Sequence, residues 1–196
     1  MPKILISEFI NKNSLNRLKK FFKVHYDEKL WKYPKKITRI IKDFDCLIVR
    51  NKTLVNKNLL DRANKIRLVG RLGVGIDNID TDYCYSKKIH IQPATGMNAD
   101  SVAEYVGTCS LLLIKKISLF HREILKGKWP RTSINSEELK GKNLGIIGYG
   151  SVGKIVSEYC AKIGLEIIVY DKYLDKLKRK NKFQLSSLSF LLKNSD

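Results

Sequence analysis

Between Asn143 and Asp171 the chain runs strand, glycine loop, helix, strand, acid, and that succession leaves few ways to fold. Asn143-Leu144-Gly145-Ile146-Ile147 is a short apolar strand leading directly into Gly148-Tyr149-Gly150-Ser151-Val152-Gly153. Val152, Ile155, Val156, Tyr159, Cys160 and Ile163 then recur at the spacing of one helix face, and Gly164 stops the run. Glu166-Ile167-Ile168-Val169-Tyr170 is a second buried strand, ending in Asp171, 21 residues past Gly150.

Each residue type in this unit has a physical task. Gly148 permits the tight turn out of the strand. Gly150 lacks a Cβ, so the backbone can approach a pyrophosphate whose charge meets the free N–H groups and positive end of the helix. Gly153 lets helix and strand pack closely. Asp171 can accept hydrogen bonds from adenosine ribose hydroxyls, and its charge opposes a 2′-phosphate, so NAD is expected over NADP; Lys172 next door works against that preference. The spacing is that of the Rossmann fingerprint, with an acid about 20 residues beyond the glycines. A strand–turn–helix whose glycines serve packing alone is the alternative. The expected cofactor contacts are Gly148, Tyr149, Gly150, Ser151, Val152, Gly153 and Asp171.

Upstream, apolar runs and helix-like stretches alternate. Lys3 to Ser7, Lys23 to Tyr26, Cys46 to Val49, the run from Arg67 and His90-Ile91 read as strands. Leu15 to Phe22, Ile37 to Phe44 and Leu59 to Ala63 read as helices. This rhythm predicts a parallel sheet covered on both faces, because right-handed crossovers need helices between parallel strands. From Asp100 the pattern changes. Val102, Val106, Cys109, Leu113, Ile117, Phe120 and Ile124 predict one long amphipathic helix, capped by Asp100 or Ser101 and closed by Gly127.

Composition excludes several functions. Met1-Pro2-Lys3 enters a buried strand directly and no apolar run approaches the roughly 20 residues of a bilayer span, so a leaderless, cytoplasmic protein with no membrane partner is expected. Cys46, Cys84, Cys109 and Cys160 form no CxxC, and none of His25, His90 and His121 is close to them, so no metal site is expected and the thiols read as free. The net charge of +19 raises the question of nucleic acid, but lysines are scattered over the whole chain. The densest run, Lys172 to Lys182, has one tyrosine and no Gly-rich or aromatic-interleaved pattern, so solvated surface lysine is the preferred explanation.

Several stretches together resemble the D-isomer-specific 2-hydroxyacid dehydrogenases, of the phosphoglycerate dehydrogenase type. They are Val69-Gly70-Arg71-Leu72-Gly73-Val74-Gly75-Ile76-Asp77-Asn78-Ile79-Asp80, Asn98 to Glu104, Gly127-Lys128-Trp129 and Glu138 to Lys142. The similarity runs from Met1 to Asp196. It implies an α/β chain with a flavodoxin-like substrate domain over 1–97, followed by the N-terminal part of a Rossmann NAD-binding domain over 98–196. It further implies hydride transfer between a 2-hydroxy or 2-oxo acid and NAD, and a homodimer when complete. Arg50, Asn51, Gly73, Val74, Gly75 and Asn98 are the implied substrate contacts. The Gly73-Val74-Gly75 amides would hold the carboxylate, and Arg50 would face a distal acidic group. A plain Gly-rich turn and a solvated arginine are the competing explanations. Pro93-Ala94-Thr95-Gly96-Met97-Asn98 departs from the commoner Pro-Gly-Asn crossing and is also similar to sulfolactate dehydrogenases, which weighs against phosphoglycerate itself.

The resemblance places the catalytic Arg, Glu and His after Asp196, so no catalytic residue is expected in this chain and activity from it alone is not expected. A non-catalytic NAD-binding module and a glyoxylate or hydroxypyruvate-type dehydrogenase are the alternatives. Two strands of a six-stranded cofactor sheet are expected, with a tail carrying Leu185, Leu188, Leu191 and Leu192 left unsupported.

Overall fold

The computed structural model describes residues 1–173 and 183–196, so most of the Lys172–Lys182 run lies outside the described residues. Contacts divide the chain into two compact units, Met1–Thr95 and Gly96–Asp196.

The first unit begins with β1 (Lys3–Ile6), α1 (Lys12–Phe21) and β2 (Lys23–Tyr26). The Asn11 side chain caps α1 by accepting from Asn13 N–H, and Lys19 and Lys20 suit its negative end. α2 (Pro34–Ile40) opens on proline, whose missing N–H costs nothing in a first turn. A 3-10 turn, Ile41–Asp43, follows it and leads to β3 (Cys46–Val49). Then come α3 (Lys57–Leu60), β4 (Leu68–Arg71), α4 (Thr81–Ser86) and β5 (His90–Pro93). The sequence pattern does not reveal α4, which Asp80 caps by accepting from Tyr83 N–H.

All five strands are parallel, in the order β2-β1-β3-β4-β5. This is the flavodoxin order expected from the sequence. Alternation places Leu5, Leu47, Val49 and Val69 on one face with Leu30, Ile37, Ile41 and Leu59, while Ile4, Ile6 and Cys46 meet Ile10 and Leu15 on the other. Each such large side chain, fully buried, contributes about 1.5–3 kcal/mol.

The second unit starts with α5 (Ala99–Ile114) and α6 (Ile117–Leu125). Here the expected single helix is broken: Lys116 adopts φ 51°, a left-handed conformation that ends α5 and starts α6. The cap also differs, because Asn98 occupies the N-cap position and no side chain bonds the first turn. Ala99, Ala103 and Gly107 are buried, whereas Leu113, Ile117 and Ile124 of the expected stripe are exposed.

β6 (Asn143–Ile147), α7 (Ser151–Lys162) and β7 (Glu166–Tyr170) follow, as the glycine unit predicts. Small residues on α5 allow it to lie close against α7, with Gly107 facing the Tyr159 ring. β8 (Gln184–Leu185) and α8 (Leu188–Asn194) complete the unit. The sheet order is β6-β7-β8, all parallel, so the described residues supply three strands rather than the two expected. Nor is the tail unsupported. Leu191 is buried and packs beside Gly145 of β6, although Leu185, Leu188 and Leu192 are exposed.

Candidate functional site

In the second unit the glycine loop connects the end of β6 to the start of α7. Gly148 has φ +95°, and its N–H donates to Tyr170 C=O at 2.7 Å. A side chain there would be strained. A Cβ on Gly153 would overlap the Gly148 carbonyl, 3.2 Å from its carbon, so this glycine is demanded by strand–helix contact. Gly150 is different. Among the described residues no atom lies within 4 Å of the place its Cβ would take. No described side chain caps α7, and its first turn carries no acid. The positive end of the helix therefore opens on free space beside bare backbone, which fits a diphosphate.

Asp171 closes the other side of this loop. Its Oδ2 accepts from Tyr149 N–H and its Oδ1 from Tyr173 N–H, each at 2.7 Å. The Tyr149 amide, then the Tyr173 amide, hold the carboxyl below its ordinary range. Each oxygen keeps a lone pair with which to accept a hydroxyl.

The remaining loop residues divide by orientation. Ser151 is exposed. Val152 packs against the core, and Tyr149 is turned inward. The Tyr149 ring lies 4.4 Å from that of Phe183, and its hydroxyl accepts from Ser157 Oγ at 3.4 Å. Tyr149 thus offers backbone, not side chain, to the loop. Gly96, at φ +78°, passes within 3.8 Å of Ser151 Cβ, measured from its ideal Cβ. Asn98 is exposed, and among the described residues its side chain makes no capping bond.

In the first unit, β1 and β3 are neighbours although α1, β2 and α2 lie between them in sequence. This is the topological switch point, where loops at the carboxyl ends diverge and leave a crevice. Arg50 and Asn51 are exposed there after β3, and the Arg50 guanidinium carbon lies 5.8 Å from the centre of the Phe9 ring.

Buried Glu8, which follows β1, takes three amides of this loop. Arg50 N–H and Thr53 N–H donate to Oε1 at 2.9 Å each, and Lys52 N–H donates to Oε2 at 3.1 Å. Burial pushes the Glu8 carboxyl up, but the bonds from Thr53, Arg50 and Lys52 outweigh it and hold the group below its ordinary value.

The Gly73-Val74-Gly75 loop follows the adjacent strand, β4. Gly73 N–H donates to Arg71 C=O at 2.9 Å, while its carbonyl accepts from Ala94 N–H at 3.0 Å. Among the described residues, the Val74 and Gly75 N–H groups have no acceptor, which leaves them open to an anion. The Arg71 guanidinium fills the space beside Gly73, 2.8 Å from where a Cβ would sit. Among the described residues, Arg71 Nε and Asn78 Oδ1 are buried without partners. Asn78 Nδ2 donates to Arg50 C=O at 3.1 Å and Thr53 C=O at 2.7 Å, tying this loop to the Arg50 segment.

Sequence reasoning selected Arg50, Asn51, Gly73, Val74 and Gly75 but missed Glu8, Arg71 and Asn78. An acid directly after a buried strand was the available signal for Glu8.

Residues 4–184 match the family model of the D-isomer specific 2-hydroxyacid dehydrogenase, catalytic domain. The chain belongs to this family. Among its 2-hydroxyacid dehydrogenase relatives, the (S)-sulfolactate dehydrogenase of Chromohalobacter salexigens is 36% identical over 174 residues, 89% of this chain and 56% of that protein. The D-3-phosphoglycerate dehydrogenase of Methanocaldococcus jannaschii is 33% identical over 176 residues, 90% of this chain and 33% of that one. The chain thus spans between a third and somewhat over half the length of these two relatives. Among solved structures, the Aquifex aeolicus D-lactate dehydrogenase complexed with NAD and lactic acid superposes with a TM-score of 0.80 at 26% identity, covering 99% of this chain and 58% of that one.

Among the described residues no cluster of three or more His, Cys, Asp or Glu is placed to hold a metal ion, and no helix is long and apolar enough to cross a membrane.

Proposed function

We propose that this chain carries the dinucleotide loop and the substrate-carboxylate loop of an NAD-dependent D-2-hydroxyacid dehydrogenase. The observation that carries the reading is the open space at Gly150 beside the uncapped start of α7, with Asp171 fixed to the same loop. A bound nicotinamide would supply the hydride acceptor or donor for C2 of the substrate.

The chain's own residues bind and orient. Ser151, Val152 and Gly153 present first-turn amides to the diphosphate, and Asp171 accepts from the ribose hydroxyls. Asp171 is negative and opposes a 2′-phosphate, which supports NAD over NADP. Val74 and Gly75 amides take the substrate carboxylate, and Arg50 with Asn51 faces a second acidic group. The 36% identity to a sulfolactate dehydrogenase favours a substrate with a distal sulfonate or phosphate over a simple hydroxy acid.

The complete enzyme is a cytoplasmic homodimer. Leu111, Leu112, Leu113, Ile117, Ile124 and Leu125 support self-association, because they expose apolar surface along α5 and α6.

Calorimetric titration of NAD into the chain and into Gly150→Val tests the reading. The variant is expected to lose at least about tenfold in affinity while remaining folded. Equal affinity would remove the cofactor assignment and with it the oxidoreductase.

A further inference from the structure

Glu8 and Asn78 grip one short segment from opposite sides. Glu8 is 3% exposed, and its carboxylate collects the N–H groups of Arg50, Lys52 and Thr53. Asn78 donates to the carbonyls of Arg50 and Thr53. Ser7 Oγ and Thr53 Oγ1, 2.8 Å apart, add a third tie to the segment that holds Glu8. A carboxylate is costly to bury, and a turn can satisfy its amides with water or backbone instead. Here three amides converge on one buried acid, so what the acid provides is a fixed backbone for residues 50 to 53. Phe9, adjacent to Glu8, lies against the Arg50 guanidinium. The same short stretch therefore fixes the Arg50 backbone and sets an aromatic ring near its guanidinium.

We propose that Glu8 and Asn78 are positioning residues that hold Arg50 ready for the distal anion of the substrate, and so set the preference for 2-hydroxy acids with a second acidic group. The inference rests on the reading of Arg50 as a substrate contact. A guanidinium on a loose loop must be ordered at the moment of binding, and that entropy is lost from affinity; one already fixed avoids the loss. The Glu8 side of the clamp consequently acts on ligands that reach Arg50 and leaves alone those held by the Val74 and Gly75 amides only.

The test follows backbone amide resonances of Arg50, Asn51, Val74 and Gly75 in the 196-residue chain during titration with 3-phospho-D-glycerate, and separately with D-lactate. Wild type is expected to bind the phosphorylated acid at least about tenfold more tightly than lactate. Asn78→Ala, whose side chain also ties down the Val74 and Gly75 loop, should weaken both ligands but 3-phosphoglycerate by about tenfold more, whereas Glu8→Gln should weaken 3-phosphoglycerate by about tenfold and leave lactate within about twofold. Arg50→Ala should do the same, and adding Glu8→Gln to it should cost no more than about twofold further, because the two act through one contact.

A 3-phosphoglycerate preference that Arg50→Ala abolishes but Glu8→Gln and Asn78→Ala leave intact overturns the positioning role alone. Losses that multiply in the double variant overturn it too. A wild type without the preference, unaffected by Arg50→Ala, overturns the reading of Arg50 and the proposal with it. Should Glu8→Gln not fold, the same comparison on Asn78→Ala decides.

Discussion

The Asp171 carboxylate accepts the backbone N–H of Tyr149 at 2.7 Å, joining the end of β7 to the middle of the glycine loop. One acid thereby holds the loop's shape and presents free lone pairs at its mouth. Removing it affects both. In Asp171→Ala, NAD affinity is expected to fall by about tenfold or more and the NADP-to-NAD affinity ratio to rise, as the charge opposing a 2′-phosphate disappears. Parallel titrations of the two dinucleotides check this; a parallel loss of both would leave Asp171 as a loop support only.

Gly150 and Gly153 should part company on substitution. Gly153→Ala forces a Cβ into the Gly148 carbonyl and is expected to cost about 1–3 kcal/mol in urea unfolding. Gly150→Ala meets open space, so its stability should change by less than about 0.5 kcal/mol, while dinucleotide affinity drops. A reversed order would mean the loop is built differently.

Glu8 makes the first unit acid-sensitive. Its folded pKa lies below the ordinary 4.5, so its contribution is complete above that value and is lost as pH falls through the folded pKa. Glu8→Gln is expected to be less stable at neutral pH by about 1–3 kcal/mol. The gap between wild type and variant should close on acidification below pH 4.5. Denaturant melts across the acid range measure it, and a gap independent of pH would contradict the assigned ionisation.

The tail depends on a missing side chain. A Cβ at Gly145 would come within 2.7 Å of Leu191 Cδ2. Gly145→Val is therefore expected to lift α8 from the sheet and speed proteolysis around Leu188–Asn194 by about tenfold. Unchanged cleavage would show that α8 has another anchor.

Lys116 holds a left-handed backbone at φ 51°. Lys116→Gly should stabilise the chain by about 1 kcal/mol, read as a raised thermal midpoint. Loss of stability would argue for a contact made by the lysine side chain.

Much of this architecture is legible locally. β3 announces itself in Cys46-Leu47-Ile48-Val49, and the βαβ unit in Gly148, Gly150 and Gly153, because burial periodicity and the need for no Cβ act on neighbouring residues. The break at Lys116 is not legible, since the apolar spacing continues through it while the buried positions of α5 are Ala99, Ala103 and Gly107 rather than the leucines. β8 is only two residues long and too short to show any period.

The glycine loop, the acid at Asp171, the alternating elements and the family follow from the sequence alone, as each is written in residues close together in the chain. The roles of Glu8, Asn78 and Arg71 follow only from the fold. Glu8 lies 42 residues from Arg50 and 45 from Thr53, and nothing in its own surroundings says which amides it will meet. Parallel pairing of β1 with β3 brings them together, so the partner of a buried charge is decided by strand order rather than by local pattern.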